Sequence, residues 1–253
     1  MGRNALVTGA SSGIGRALSE RLARDGYHVV LCARRAEPLR EVLRAIESTG
    51  GSASIEVMDV ADVERSVRRI REIDRSLPGG LDLIIANAGV GERKGHVSYA
   101  WEAIADACHV NFTGAAATLT AVLPDMVSRG RGHIVGISSL ASFGPLPKSA
   151  AYCAAKAGLS MLLDCLRLDV QSSGVKVTAV HVGFVKTPMT EKATHPMPQL
   201  MSAEYAADFI VKELAKGPPT VDFPQPLAAV TWAAGRLPRG VRDILQRGLA
   251  RVR

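Results

Sequence analysis

What most constrains the fold of this chain is the regular alternation of two kinds of segment. Short apolar stretches at 5–8, 28–33, 54–58, 81–87, 133–138, 175–182 and 220–223 are separated by longer ones whose apolar residues recur at helical spacing, as Leu39, Val42, Leu43 and Ile46 do, or Val63, Val67 and Ile70. Stretches such as Leu83-Ile84-Ile85-Ala86 have no polar face, which a strand tolerates only when helices cover its sheet on both sides. Strand then helix, repeated, joins parallel strands through right-handed crossovers. The expected architecture is an α/β fold: a doubly wound, mostly parallel sheet with helices on both faces.

The 253 residues suffice to bury one sizeable core. No repeat, low-complexity stretch or linker divides them, and Gly217-Pro218-Pro219 reads as a helix stop before the last strand. A single domain over 1–253 is expected, with 224–253 as a basic amphipathic extension. No apolar run approaches the roughly 18 residues of a membrane span. The first strand begins almost at Met1 without a charged-then-apolar leader, and Leu6 stands where a myristoylation signal needs Ser or Thr. A soluble, unprocessed, cytoplasmic protein is the expectation. Cys32, Cys108, Cys153 and Cys165 form no Cys-x-x-Cys pair and the histidines show no ligand spacing, which points to reduced thiols and no metal site.

The formal charge of +7 is unevenly placed: residues 236–253 hold six arginines against Asp243 alone, a balance of +5. Leu237, Val241, Ile244, Leu245 and Leu249 give this tail a helical period, and Trp232 precedes it. Such a helix either packs on its own domain or makes a peripheral contact with an anionic membrane surface. Nucleic acid is not an expected partner, because no aromatic interleaving or recognition motif accompanies the arginines.

Between the first strand and a helix expected at 14–25 lies Thr8-Gly9-Ala10-Ser11-Ser12-Gly13-Ile14-Gly15. Glycines there permit a tight turn and let a pyrophosphate approach the backbone, while the helix start offers unpaired N–H groups and partial positive charge. The spacing, Gly-x-x-x-Gly-x-Gly, lies one register from the common dinucleotide fingerprint of Rossmann folds. Gly9, Ser11, Ser12, Gly13, Ile14 and Gly15 are the candidate phosphate cradle. At the end of the second strand an acidic side chain would bind a ribose 2′-hydroxyl and repel a 2′-phosphate; this chain has Arg34 and Arg35. The guanidinium matches a phosphate in charge and geometry, so NADP(H) is the expected cofactor, with Arg34 on the 2′-phosphate and Arg35 assisting or stacking on adenine.

Tyr152 and Lys156 stand four apart, on one helix face, with the serines Ser138 and Ser139 upstream at a strand end. An ammonium beside a phenol favours the phenolate and brings the tyrosine nearer the working range of a proton donor.

Over essentially its whole length the chain resembles the short-chain dehydrogenase/reductase family, in the branch of about this size whose substrate site lies within one Rossmann domain. The likeness rests on the glycine turn, Asp59-Val60 after the third strand, Asn87-Ala88-Gly89 after the fourth, Asn111 in the next long helix, Ser139, and then Tyr152 and Lys156. It implies that Asp59 bonds the adenine amino group with Val60 packed beside it, and that Asn87, Ala88 and Gly89 support the turn beneath the cofactor. It further implies a catalytic tetrad of Ser139, Tyr152, Lys156 and Asn111, selecting Ser139 over Ser138. Tyr152 and Lys156 also contact the cofactor, and Gly183, Val185 and Thr187 pass its nicotinamide end. Two positions depart from the family pattern: Val182 stands where a proline is usual, and Ala86 where an asparagine is more frequent.

The reaction implied is hydride transfer between nicotinamide and a carbonyl compound or secondary alcohol. The expected pocket is closed by 188–202, with Thr187, Met189, Met197, Leu200 and Met201 near it and Phe143, Leu146 and Pro147 across from them, which suits an apolar substrate. A homo-oligomer, dimer or tetramer, is implied by the resemblance. The alternative is a catalytically idle NADPH-binding module or a membrane-associated sensor.

Overall fold

The computed structural model describes residues 2–91, 100–191 and 196–244. Its centre is a seven-stranded sheet in the order β3-β2-β1-β4-β5-β6-β7, with every pairing parallel. The strands are β1 (Arg3–Thr8), β2 (Tyr27–Ala33), β3 (Ser52–Val57), β4 (Leu83–Ala86), β5 (Gly132–Ser139), β6 (Val175–Val182) and β7 (Thr220–Phe223). Helices alternate with them: α1 (Gly13–Arg24), α2 (Ala36–Ser48), α3 (Val63–Ser76), α4 (Trp101–Cys108), α5 (Ala115–Thr120), α6 (Leu123–Arg129), α7 (Ala150–Asp169), α8 (Ala203–Leu214) and α9 (Leu227–Gly235).

Side-chain alternation along each strand divides the core in two. Ala5 and Val7 of β1, Leu83 and Ile85 of β4 and Val180 and Val182 of β6 point to the face covered by α1, α2 and α8. Leu6, Ile84, Val177 and Ala179 point to the other, against α3, α5 and α7. The stripe Leu39, Val42 and Ile46 is buried in α2, and Asp62 caps α3 by accepting from the Arg65 N–H at 3.3 Å. The fourth strand ends before its apolar run does, because the Asn87 N–H leaves the sheet ladder to bind the Thr8 hydroxyl at 3.1 Å. Strand order reverses direction between β1 and β4, and the crevice outside their carboxyl ends is where open α/β sheets hold ligands.

The expected long helix at Asn111 is interrupted. Between α4 and α5 the chain makes a π-helical turn, His109–Gly114, a local widening that re-aims side chains and recurs at functional sites. At the carboxy end, α9 is uncharged along its length, so the amphipathic character expected of 224–253 begins only after it; 239–244 is helical, and Leu245 and Leu249 lie outside the described residues. Among the described residues no helix is long and apolar enough to cross a membrane.

Candidate active site

From Thr8 the chain turns through Gly9 (φ +68°) and Gly13 (φ +54°), both in the left-handed region that glycine occupies without strain, and enters α1. A Cβ on Gly15 would lie 2.3 Å from the Gly9 carbonyl oxygen and 2.4 Å from Asn87 Nδ2; one on Gly13 would lie 2.9 Å from Thr187 Cγ2. The absent side chains thus let α1, the end of β4 and Thr187 close around one cradle. No acid occupies the first turn of α1 and no side chain caps it, so its leading N–H groups face the turn with their partial positive charge available to an anion. Ser11 and Ser12 are partly exposed there, and Ile14 packs into the core. Thr8 was not singled out by its sequence, yet its Oγ1 accepts from the Asn87 and Ala88 N–H groups at 3.1 Å each, while Asn87 Nδ2 donates to the Thr8 carbonyl at 3.0 Å. Its only sequence signal is a hydroxyl at the end of an otherwise apolar strand.

From this turn a cleft of about 110 Å³ runs along the strand ends, between Gly9, Ala88 and Gly89 on one side and Cys32, Arg34, Asp59 and Val60 on the other. Asp59 Oδ1 accepts from the Ala61 N–H at 3.0 Å, and its other oxygen lies 3.8 Å from Arg34 Nη1. A long pair between exposed side chains contributes little, which leaves the Arg34 guanidinium at the cleft edge for a stronger anion. Arg35, exposed, begins the turn into α2. A larger hollow of about 340 Å³ between β3 and α3 touches neither the glycine turn nor Tyr152, and its Arg69 is already held by Glu56 at 2.9 Å and Glu72 at 3.0 Å.

Past Gly89, two strands along the sheet from β1, Ser139 closes β5. Its hydroxyl accepts from the Ala141 N–H at 3.1 Å and acts on the Tyr152 phenol, favouring its ionised form. Ser138, one residue earlier, necessarily points the other way; it donates to the Lys156 carbonyl at 3.1 Å and lies 2.8 Å from Ser160 Oγ, buried under α7. Lys156 is 5 % exposed, and its Nζ donates to the Ile137 carbonyl at 2.6 Å, 5.9 Å from the Tyr152 ring centroid. Asn111, on the π-helical turn, accepts from the Val90 N–H at 2.8 Å and donates to the Val90 carbonyl at 2.9 Å. A Cβ on Gly89 would lie 3.0 Å from Asn111 Oδ1 and 3.8 Å from Lys156 Nζ. The four tetrad candidates therefore converge on the floor of one crevice, with Asn111 acting through the loop that carries Gly89.

The electrostatics correct one expectation. The Lys156 ammonium was expected to draw the Tyr152 phenol down; burial instead pushes the phenol up, with Ser139 opposing and Cys153 adding to the rise. The cause is direction: the ammonium is turned toward the Ile137 carbonyl, and burial without an anion lowers its own pKa to about 8. A ligand with hydroxyl oxygens near Gly89 fits this cation, which has no anionic partner among the described residues, and the glycine cradle with its open helix end fits a phosphate.

The far wall departs from the family pattern without opening. Gly183 donates to the Phe223 carbonyl at 2.9 Å, and a Cβ on it would lie 2.8 Å from Pro224 Cδ; the close approach that requires glycine here is to the chain itself. Val185 is buried and bridges to Met201, whose side chain packs on the core. The Thr187 N–H donates to Thr190 Oγ1 at 3.0 Å. Beneath this wall runs a polar chain that the sequence did not reveal: Asp222 Oδ1 lies 2.7 Å from His181 Nδ1, His181 Nε2 lies 3.0 Å from Ser160 Oγ, and Ser160 donates to the Lys156 carbonyl at 3.0 Å. It exists because β6 and β7 place His181 and Asp222 side by side. Among the described residues, no group of three or more His, Cys, Asp or Glu is arranged to hold a metal ion.

Comparisons with known proteins agree with this geometry. The family model for short chain dehydrogenases matches residues 3–198. An uncharacterized oxidoreductase of Myxococcus xanthus is 43 % identical over 98 % of this chain and 97 % of its own. A fatty acyl-CoA reductase of Acinetobacter baylyi is 36 % identical over 92 % of this chain and 80 % of its own. Among solved structures, a short-chain dehydrogenase from Sphingobium yanoikuyae in complex with NADPH superposes with a TM-score of 0.81 at 29 % identity, covering 97 % of this chain and 95 % of that one. A short chain dehydrogenase from Mycobacterium paratuberculosis bound to NAD gives 0.78 at 26 %, covering 90 % and 98 %. A parallel sheet with a glycine turn at its switch point, a serine–tyrosine–lysine cluster beside Gly89, and relatives matched along almost the whole chain have one explanation: the chain belongs to the short-chain dehydrogenase/reductase family of oxidoreductases.

Proposed function

We propose that this protein transfers a hydride between NADP(H) and the carbonyl or secondary alcohol carbon of an apolar substrate, acting as one domain over 1–253. The observation that carries the proposal is the meeting of three side chains next to the cleft: Ser139 acts on the Tyr152 phenol, and the Lys156 ammonium lies 5.9 Å from the Tyr152 ring and 3.8 Å from where a Cβ on Gly89, which lines the cleft, would stand. Nicotinamide, when bound, supplies or accepts the hydride. The chain's own residues do the rest. Ser139 holds and polarises the carbonyl oxygen, and Tyr152 gives that oxygen its proton in reduction and removes it in oxidation. Lys156 holds ribose hydroxyls and, turned from Ile137 toward them, stabilises the phenolate that Tyr152 leaves. Asn111 fixes the Val90 backbone and with it the floor beneath Lys156.

Arg34, with no acid at the end of β2, supports NADP(H) over NAD(H): a 2′-phosphate replaces a weak exposed contact to Asp59 by a charge-assisted one. Gly9, Ser11, Ser12, Gly13, Ile14 and Gly15 hold the pyrophosphate, Asp59 and Val60 the adenine, and Asn87, Ala88, Gly89, Gly183, Val185 and Thr187 the ribose and nicotinamide side. The Acinetobacter relative, a fatty acyl-CoA reductase, supports a long-chain carbonyl compound as the substrate class, together with the exposed Met189 and Leu200 of the expected closing segment. Residues 192–195 of the expected closing segment lie outside the described residues. Pairing through α4, α5 and α7 into a dimer and peripheral contact with a membrane belong to the same reading, since such substrates reside in lipid.

Oxidation of NADPH followed by absorbance against a series of aldehydes and ketones of increasing chain length tests the proposal. Turnover should rise with chain length, and Tyr152→Phe should reduce it about a hundred- to ten-thousandfold while NADPH still binds. Binding of NADPH without turnover of any member, unchanged by Tyr152→Phe, would establish an idle cofactor-binding module instead.

A further inference from the structure

The outer face of α9 carries no polar residue. Its inward positions are Leu227, Ala228, Thr231 and Ala234, whereas Ala229, Val230, Trp232 and Ala233 are exposed, Val230 by 61 % and Trp232 by 47 %. A helix with such a face is built to meet something other than water. Just beyond it the chain carries Arg236, Arg239 and Arg242 with Asp243 as the single acid among them, and Val241 and Ile244 are exposed. The Arg236 guanidinium lies over the Trp232 ring at 3.6 Å, joining the apolar face to the cationic one.

This face adjoins the crevice. A Cβ on Gly235 would lie 1.8 Å from the Phe143 carbonyl oxygen, so the end of α9 is pressed on the turn that follows Ser139. Its start is tied to the closing segment through Gln199, whose Nε2 donates to the Gln225 carbonyl at 3.1 Å and whose Oε1 accepts from the Leu227 N–H at 3.3 Å.

We propose that α9 and the arginines after it dock on an anionic lipid surface, with Val230 and Trp232 at the headgroup boundary and Arg236, Arg239 and Arg242 against the lipid phosphates. Charge complementarity selects this occupant. A second copy on the same face would have to meet it with an identical face, whose single acid, Asp243, gives the arginines too little opposite charge to pair with. Docking rests on α9 and its arginines; the use of it, to admit a lipid-dissolved carbonyl compound beside Phe143, rests on the function proposed above.

The test uses the full chain carrying Trp101→Phe, which leaves Trp232 as the only tryptophan of the two. It is mixed with vesicles of phosphatidylcholine, with or without phosphatidylglycerol. Cosedimentation and a blue shift of Trp232 emission are expected only with phosphatidylglycerol, both weakening as salt is raised. Each cation near such a surface contributes about fivefold to binding, so Arg236→Gln, Arg239→Gln and Arg242→Gln together should reduce it about a hundredfold. Val230→Ser with Trp232→Ser should remove it without changing the melting temperature, since both side chains are exposed. Absence of cosedimentation, equal binding to neutral vesicles, or a dimer that dissociates on the Val230 and Trp232 changes overturns the proposal, the last in favour of a second copy. Turnover of the aldehyde and ketone series, measured without vesicles, separates the two readings. Vesicle binding without any turnover defeats the reductase and leaves docking standing, and turnover without vesicle binding does the reverse.

Discussion

Replacing Lys156 by methionine should stabilise the cofactor-free protein at neutral pH while abolishing its chemistry. Burial without an anionic partner takes the ammonium from its ordinary 10.5 to about 8. At about 1.4 kcal/mol per pH unit, the fold disfavours the charged form by about 3 kcal/mol. The sign follows from proton counting. Below about pH 8 both states carry the charge, and the whole penalty weighs on the folded one. Between about 8 and 10.5 the unfolded chain holds more protons than the native state, so this group makes the protein more stable as pH rises. Methionine keeps the unbranched shape and removes the charge, but leaves the Ile137 carbonyl without its 2.6 Å donor, a loss of roughly 1–2 kcal/mol. The expected net gain at neutral pH is thus about 1–2 kcal/mol, shrinking toward alkaline pH and then reversing. Urea unfolding followed by circular dichroism, at about pH 7 and about pH 9.5 for both proteins, measures it. Parallel pH profiles, or a variant less stable than wild type at neutral pH, would refute the argument that burial rather than pairing sets this lysine.

Other consequences are as direct. Arg34→Ala should weaken NADPH about ten- to hundredfold by titration calorimetry and leave NADH nearly unchanged; equal losses would remove Arg34 from the 2′-phosphate. Gly15→Ala sets a methyl group 2.3 Å from a backbone oxygen that cannot rotate away, so it should cost roughly 1–3 kcal/mol of stability and most of the cofactor affinity. Asp222→Ala leaves the His181 ring without its 2.7 Å partner under α7. It should cost roughly 1–3 kcal/mol and lower kcat with little change in KM for NADPH, whereas Asp222→Asn, which can still accept the Nδ1 hydrogen, should recover most of both. If the asparagine variant is as impaired as alanine, the chain from Asp222 to the Lys156 carbonyl does not position that helix.

The strands and the main helices were legible because the features that specify them are local. Leu39, Val42 and Ile46 reveal the buried side of α2 by spacing alone, and the uninterrupted Leu83-Ile84-Ile85-Ala86 implies a sheet covered twice. The glycine turn was readable for the same reason, since a positive φ at Gly9 and Gly13 is a property of a few consecutive residues. The interruption at Asn111 was not, because a π-helical turn adds a residue without altering the apolar period on either side. Likewise the end of β4 was placed too late: Asn87 is as compatible with a strand as with a turn until Thr8, across the sheet, takes its N–H.

Periodicity and short-range spacing by themselves determined that this chain forms a parallel α/β sheet, that a glycine turn leads from its first strand into a helix, and that Tyr152 and Lys156 share a helix face. These rest on interactions within one turn or one strand. Tertiary structure alone decided where the Lys156 ammonium points, that burial outweighs it at the Tyr152 phenol, that His181 meets Asp222, and that α9 lies beside the crevice with an apolar face outward. Each depends on strand register or on the closing of a long loop, which bring together groups whose separation along the chain carries no trace of their meeting.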